Sequence, residues 1–350
     1  MSQWRDNIRR VEPYVPGEQP KEKNVIKLNT NENPYGPSPR VQMVKENMDD
    51  LRLYPDPTAG ALVDALAEYH GVNPDQVFVG VGSDDVLSMA FLTFFNAKKP
   101  IRFPDITYSF YDVWAELYRI PYEQLALDEN FKIRREDYYG ENGGVVFPNP
   151  NAPTGIAENL EFVEDIISHN PDVVVIVDEA YVDFGGTSAL SLIDKYENLL
   201  VVRTFSKSRS MAGLRIGYAI GQPELIRALN DVKYSFNSYT MNRPSLLLGV
   251  ESIRDEAYFR ETVAGIIRTR EQFGEEMKKL GFTFPESKAN FIFATHKTAK
   301  AKDIFEAAKK KGIYVRYFNK PRIDNYLRIT IGKPEEMETL LKFLKEYLSE

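Results

Sequence analysis

Short apolar runs alternate along this chain with stretches whose apolar residues recur at helical spacing. Asp172–Val177 (DVVVIV) is the most strand-like run, because its β-branched residues do not alternate with polar ones. That pattern predicts a strand buried on both faces. Further strands are expected at Val25–Leu28, Val77–Val81, Pro100–Pro104, Pro121–Leu127, Gly144–Phe147, Leu199–Val202 and Ile216–Ile220. Helical spacing is expected at Ser38–Asn47, at Ala59–His70 with Leu62, Leu66 and Tyr69 on one face, at Val86–Phe95, at Thr107–Tyr118, at Leu160–Ser168 and at Pro223–Val232. Three turn-rich stretches interrupt this pattern: NTNENPYGPSP (Asn29–Pro39), LYPDP (Leu53–Pro57) and PNPNAPTG (Pro148–Gly155). The last has prolines at 148, 150 and 153 and a glycine at 155, which exclude both helix and strand.

Strands that alternate with helices, with polar residues gathered after the strands, predict an α/β fold built on a mainly parallel doubly wound sheet. The pattern changes beyond Ser245. A long charged helical region, Ser245–Lys279, is expected to break or bend near Gly265. From Phe282 an α+β pattern follows, with strands at Asn290–Ala294, Tyr314–Arg316 and Tyr326–Ile331 and helices at Thr298–Lys311 and Pro334–Leu348. The expected organisation is an N-terminal arm (residues 1–28, with a short helix at Ser2–Arg10), a large domain (29–255), and a smaller α+β domain (256–350) against which the arm packs.

The chain has 350 residues, 43% apolar and 27% charged, as in a soluble globular protein. Its net charge of −7 gives no electrostatic support to a nucleic-acid or membrane-surface role. It has no cysteine, which removes disulfides, thiolate metal sites and cysteine nucleophiles, and is compatible with a reducing cytoplasm. The N-terminal MSQWRDNIRR has no apolar core and is not a secretory signal. His70, His169 and His296 lie apart from one another and from any carboxylate cluster, so surface or packing roles suit all of them.

The chemistry collects after the strands. Thr204–Gly217, TFSKSRSMAGLRIG, sets Lys207 between Ser206 and Ser208, with Arg203, Arg209 and Arg215 nearby and Gly213 as a tight turn. An amine among hydroxyls and guanidiniums suits a carbonyl cofactor that also carries a phosphate, although a basic surface loop would read alike. Gly82-Ser83-Asp84-Asp85 stands between a strand and a helix, where free backbone N–H groups bind anions; Asp84 or Asp85 could equally cap that helix. Asp178 ends the buried strand, either as a strand-end carboxylate or as the counter-ion of a bound cation. Tyr108 is placed to face outward over the strand ends, while its aromatic neighbours belong to the core. A lysine, a buried carboxylate, a phosphate cradle and a stacking ring are what pyridoxal phosphate requires.

The ordered motifs LNTNENP, YPDP, GSDD, PNPNAPTG, DEAY, TFSKSRSMAGLRIG and LRITIG resemble the fold-type I aminotransferases, and among them the branch that acts on histidinol phosphate. The resemblance runs from Val11 to Gly332. It implies the fold-type I architecture, with a seven-stranded sheet in the large domain, and pyridoxal 5'-phosphate held on Lys207 as a Schiff base. It implies Asp178 at the ring nitrogen, Tyr181 at the ring hydroxyl, Tyr108 as the stacking ring, and Ser83, Asp84, Thr204, Ser206 and Arg215 as the phosphate cradle. Tyr54 is implied to reach the cofactor phosphate of a neighbouring subunit, making a homodimer with a shared site. Arg328 is implied to take the substrate's anionic group, with Arg316 as a second cation and Tyr14 as a hydrogen-bonding group on the arm. The expected reaction is amino transfer between histidinol phosphate and 2-oxoglutarate, in histidine biosynthesis in the cytoplasm. An aromatic amino acid aminotransferase, a phosphothreonine decarboxylase of the same fold, and a cofactor-binding regulator are the alternatives. One departure stands out: the family's asparagine before Pro-Thr-Gly is here Ala152, so that either Asn151 or Tyr181 alone must serve the ring hydroxyl. Arg203 and Arg209 receive no firm role, Arg209 being near enough in sequence to approach the phosphate.

Overall fold

The computed structural model describes residues 9–15, 18–22, 24–45 and 48–349. Its largest element is a seven-stranded sheet of β2 (Val77–Gly80), β3 (Ile101–Pro104), β4 (Tyr122–Leu125), β5 (Gly144–Pro148), β6 (Val175–Asp178), β7 (Leu199–Thr204) and β8 (Gly217–Gly221), in the order β2-β8-β7-β6-β5-β3-β4. β7, β6, β5, β3 and β4 pair in parallel, and β8 runs antiparallel to both β7 and β2. This one reversal matters to the site. It brings the residues that precede β8 to the same edge as those that follow β2 and the parallel strands.

The buried strands have the burial that their composition predicts. Val175 and Val177 of β6 enter the core on one face of the sheet with Phe147 and Val201; Ile176 enters the other with Phe78, Phe103 and Val202. Burying each such side chain stabilises the fold by roughly 2 kcal/mol. Helices α2 (Gly60–His70), α3 (Ser83–Phe94), α4 (Tyr111–Tyr118), α5 (Leu160–Ser168), α6 (Pro223–Phe236) and α7 (Arg243–Arg254) cover the two faces. α5 starts where the Asn159 side chain accepts from the Phe162 N–H, and α6 has Pro223 in its first turn. The short α1 (Pro39–Met43) stops well before the expected Asn47.

A second sheet, ordered β12-β13-β10-β9, comprises β9 (Phe282–Thr283), β10 (Phe291–His296), β12 (Arg316–Tyr317) and β13 (Leu327–Thr330). It packs with α8 (Glu256–Lys279), α9 (Ala301–Lys310) and α10 (Pro334–Ser349) around Phe291, Ile329, Phe273 and Leu340. Leu28, Ala152 and Tyr181 share this core, which brings it up to the edge of the large sheet. β1 (Ile26–Lys27) pairs in parallel with β11 (Ile313–Tyr314), so the arm is stitched to this part of the chain. Glu18 continues the arm's path by pairing with Lys309 at the end of α9.

Several expectations are corrected here. The long helical region neither breaks nor bends at Gly265; it breaks at Asp255, which closes α7 and caps α8 by accepting from the Tyr258 N–H. Gly265 sits inside α8, where Tyr35 lies against it and leaves little room for a side chain. The aromatic helix starts at Tyr111, so Tyr108 precedes it on a loop and is not in its first turn. The strand expected at Tyr314–Arg316 divides at Val315, with one part pairing with the arm and the other with β13. The tight turn credited to Gly213 is made instead by Ser210 and Arg215, both in the left-handed region with φ of 59° and 53°. The short helix expected at Ser2–Arg10 lies outside the described residues except for Arg9 and Arg10, which are not helical.

Candidate active site

Two adjoining cavities open at the sheet edge where the strand ends gather. The first, of about 170 Å³, is lined by Ser83, Asp84, Tyr108, Asp178, Tyr181, Ser206, Lys207 and Arg215, with Thr30, Glu32 and Ala152. The second, of about 160 Å³, shares Lys207, Tyr108 and Tyr181 and adds Tyr14, Arg316 and Arg328.

One end of the first cavity is built to hold an anion. Gly82, with φ 84°, is the N-cap of α3 and offers no side chain to its first-turn N–H groups. A Cβ at Gly82 would meet the Arg215 guanidinium at 2.4 Å, and one at Gly217 would meet the Gly82 carbonyl carbon at 2.2 Å. Only glycine at both positions lets β8 and Arg215 close onto the helix end. Arg215 pairs with Asp84 at 3.0 Å and lies 3.4 Å from Ser206 Oγ. Thr204 does not line the cavity. Its hydroxyl donates to Ser206 Oγ at 3.0 Å and accepts from the Ser206 N–H, so it holds Ser206 in place from behind.

Asp178 lies at the floor. Tyr111 donates to Oδ2 at 2.9 Å and the Ala180 N–H to Oδ1 at 3.1 Å. Burial pushes its carboxyl up to about 6, against those two hydrogen bonds. Among the described residues no cation lies within ion-pair distance of it. Tyr108 donates to Asp84 Oδ1 at 2.7 Å, and burial followed by the Asp84 charge raises its hydroxyl strongly, keeping it a neutral donor.

Lys207 Nζ lies 3.4 Å from the Thr30 carbonyl and 5.7 Å from the centre of the Tyr181 ring. Its backbone is held from both sides. Asn33 Nδ2 donates to the carbonyls of Lys207 and Ser208, each at 3.1 Å. Ser208 Oγ donates to Asp183 at 2.6 Å, and Asp183 and Glu179 pair with the largely buried Arg203. Arg203 thus anchors the loop beneath Lys207. Arg209 turns away from the phosphate end: its guanidinium lies 4.1 Å from the Phe259 ring centre and donates to the Ser252 carbonyl, so the approach to a phosphate suggested by its sequence position does not occur.

In the second cavity, Arg328 and Arg316 make no ion pair among the described residues. Arg328 donates to the Asn29 carbonyl at 3.0 Å, and its guanidinium faces the rings of Phe291 and Phe318. Burial, together with the charge of Arg316, lowers its pKa from the usual arginine value. Tyr14 stacks on Phe110 with centroids 4.2 Å apart.

Asn151 is not in either cavity lining. Its Nδ2 donates to the Ile106 carbonyl at 2.9 Å and its Oδ1 accepts from Thr107 Oγ1 at 3.0 Å, while Ala152 faces the cavity. Tyr54 is also outside its own chain's cavities; it is 80% exposed and packs on Tyr239. The individual residues of the NTNENP stretch were not identified by sequence reasoning. Its turn chemistry marks a loop, but no spacing rule says that Thr30, Asn31 and Glu32 reach a lysine far along the chain. Tyr111 was hidden among the core aromatics for the same reason.

Against known proteins, the profile described as "Aminotransferase class I and II" matches residues 23–344. The chain belongs to the class I and II aminotransferases. This aminotransferase is 53% identical to the histidinol-phosphate aminotransferase of Clostridium botulinum (strain Kyoto / Type A2), over 100% of this chain and 99% of that one. It is 52% identical to the histidinol-phosphate aminotransferase of Lactococcus lactis subsp. cremoris (strain SK11), over 99% and 98%. In fold it is similar to the histidinol-phosphate aminotransferase of Sinorhizobium meliloti, solved in complex with pyridoxal-5'-phosphate, with a TM-score of 0.84 at 24% identity over 93% of this aminotransferase and 91% of that chain.

Proposed function

We propose that this aminotransferase moves an amino group between histidinol phosphate and 2-oxoglutarate, using pyridoxal 5'-phosphate, in histidine biosynthesis. The observation that carries the substrate class is the pair Arg316 and Arg328 in one cavity, neither matched by a carboxylate among the described residues. Two uncompensated guanidiniums are costly when partly withdrawn from water, and a phosphate dianion offsets both where an α-carboxylate offsets one. The full-length relatives named for histidinol phosphate support the same reading.

The residues fit the cofactor. An uncapped helix end beside Arg215 suits its phosphate, and a buried carboxylate without a cation suits its ring nitrogen. Ser83 and Asp84, through the backbone N–H groups of the helix end, with Ser206 and Arg215 would hold the phosphate, and Thr204 supports Ser206. Asp178 would hold the ring nitrogen, Tyr108 would stack on the ring, and Tyr181 would donate to the ring hydroxyl. When bound, pyridoxal phosphate supplies an electrophilic carbon and an electron sink for the charge that develops at the substrate's α-carbon. Lys207 Nζ would take the proton from the substrate's α-carbon and hand it to the electrophilic carbon that the cofactor supplies, on the other side of the transferred nitrogen, with the Thr30 carbonyl 3.4 Å away to orient the amine. Arg328 and Arg316 fix the anionic end, so the α-carbon has one position relative to Lys207. Tyr14 of the arm lines that end.

Tyr54 with Leu51, Leu53, Phe236 and Tyr239 forms an exposed apolar surface. We assign it to a second copy of the chain, with Tyr54 reaching the partner's cofactor phosphate. The division into an arm (1–28), a large domain (29–255) and a small domain (256–350) is proposed on the two cores that gather around the two sheets and meet at Tyr181 and Phe293. No helix among the described residues is long and apolar enough to cross a membrane. Cytoplasmic placement is proposed because a phosphorylated substrate stays where it is made.

Paired assays test the reaction. Amino transfer from histidinol phosphate to 2-oxoglutarate is expected to exceed transfer from phenylalanine. Faster turnover of phenylalanine, or carbon dioxide release from phosphothreonine, would overturn the assignment.

A further inference from the structure

Asn31 is 1% exposed and every polar group it carries is engaged. Nδ2 donates to the Tyr181 hydroxyl at 2.9 Å, and Oδ1 accepts from Thr330 Oγ1 at 3.0 Å. Its backbone N–H donates to the same Thr330 Oγ1, and its carbonyl accepts from Asn290 Nδ2, both at 3.0 Å. The orientation of the amide is fixed by proton counting. Thr330 Oγ1 is buried, accepts the Asn31 N–H and donates to Oδ1, its one acceptor among the described residues; the reversed amide would set a second donor on Oγ1 and leave the Thr330 proton unpaired, so Nδ2 faces Tyr181. The backbone of Asn31 has φ 57°, a left-handed conformation that asparagine adopts more readily than most residues.

This arrangement decides where the Tyr181 proton points. A phenol has one proton to give, and here the amide donates to its oxygen. Among the described residues no protein group accepts from Tyr181. The ring lines both cavities, so the proton is directed into them. A donor polarised by a hydrogen bond to its own oxygen is also a stronger donor. Meanwhile Ala152 brings no hydrogen-bonding side chain to the cavity, and Asn151 has spent its amide elsewhere.

We propose that Asn31 is a positioning residue for the reaction: it aims and strengthens the Tyr181 hydroxyl as donor to the cofactor's ring oxygen, in the absence of a side-chain donor at position 152. Thr330, which holds Asn31, lies two residues from Arg328 on β13 and therefore on the same face. The same short segment accepts from Arg328 through Asn29 O and from Lys207 through Thr30 O. Asn31 thus references the tyrosine to the strand that carries the anion-binding arginine.

The inference rests on the assignment of this cavity to pyridoxal phosphate with Tyr181 at its ring oxygen. It is tested by the pH midpoint of the visible absorbance change of the purified holoenzyme. The deprotonated chromophore concentrates charge on the ring oxygen, so losing or weakening a donor there raises the midpoint. Asn31→Gly removes the amide at a position where glycine bears the positive φ. It is expected to raise the midpoint by roughly half to one pH unit, a threefold to tenfold change in the proton equilibrium. Tyr181→Phe is expected to raise it further, and adding Asn31→Gly to Tyr181→Phe is expected to change nothing more. The inference is overturned if Asn31→Gly leaves the midpoint in place while Tyr181→Phe moves it, or if the glycine increment is equal in both backgrounds. An unmoved midpoint in Tyr181→Phe would bring down the cavity assignment along with it. If the glycine variant loses its cofactor, Asn31→Asp, which keeps the acceptor for Thr330 and loses the donor, is titrated in both backgrounds by the same criteria.

Discussion

Asp178 shows how a single side chain links stability to chemistry. Its carboxyl stands near 6 in the folded protein against 3.8 for the free side chain, because burial penalises the charge more than Tyr111 and Ala180 favour it. The folded-state value lies above the unfolded one. The neutral carboxyl therefore contributes its stability in full below about pH 4 and loses it as the pH rises through 6. That difference is about 3 kcal/mol. Asp178→Asn keeps an acceptor for Tyr111 and carries no charge. Its apoprotein is expected to unfold at higher denaturant than the parent at pH 8, with the advantage gone at pH 4, while amino transfer falls by a factor of about 100 or more. Equal denaturation midpoints at pH 8 would show that the buried charge is compensated by something other than the cofactor. Asn151 gives the opposite result. Because its amide is bound to Ile106 and Thr107, Asn151→Ala should leave the holoenzyme's spectral midpoint unmoved but cost about 1–3 kcal/mol of stability in chemical unfolding.

Among the elements, the boundary at Asp255 separates the helices that cover the large sheet from the one that enters the smaller core. Asp255 accepts from the Tyr258 N–H and from Ser38 Oγ, which itself caps α1. One residue therefore stands at the end of α7, and its carboxylate starts α8 and ties it to the segment after NTNENP. Asp255→Ala is expected to lower unfolding free energy by about 1–2 kcal/mol, read from the denaturant midpoint of the apoprotein. A Gly265→Ala change, tested beside it, meets the Tyr35 hydroxyl at 3.2 Å and should cost less, since the tyrosine tip can shift. The reverse order would show that the Tyr35 ring is held too firmly to give way. The antiparallel β8 is the other element whose direction decides function. If it ran parallel, Arg215 would stand at the far edge of the sheet from Ser83.

For the whole molecule, the exposed Tyr54 surface predicts an active site completed by a partner. The Lys207→Ala and Tyr54→Ala variants are each expected to be impaired. Mixed dimers refolded from the two contain one site with both native residues, and activity should return on mixing. No recovery in verified mixed dimers would place Tyr54 outside the catalytic assembly. Recovery with only the lysine variant present would be trivial contamination and is excluded by assaying each parent alone.

The sequence by itself determined the strand–helix alternation, the parallel sheet and the strand-end residues Lys207, Asp178, Ser83 and Arg215. Those features are local: periodicity and turn chemistry act over a few residues, and one strand end lies beside the next in any doubly wound sheet. Tertiary structure alone decided which of the neighbours could act. Asn151 and Arg209 carry suitable chemistry but spend it on Ile106, Thr107, Phe259 and Ser252. Asn31 shows no distinguishing local pattern, yet it meets Tyr181 and Thr330 from distant parts of the chain. A hydrogen bond depends on position to within a few tenths of an ångström, and contacts across such sequence separations are set by how the two cores pack, which periodicity does not encode.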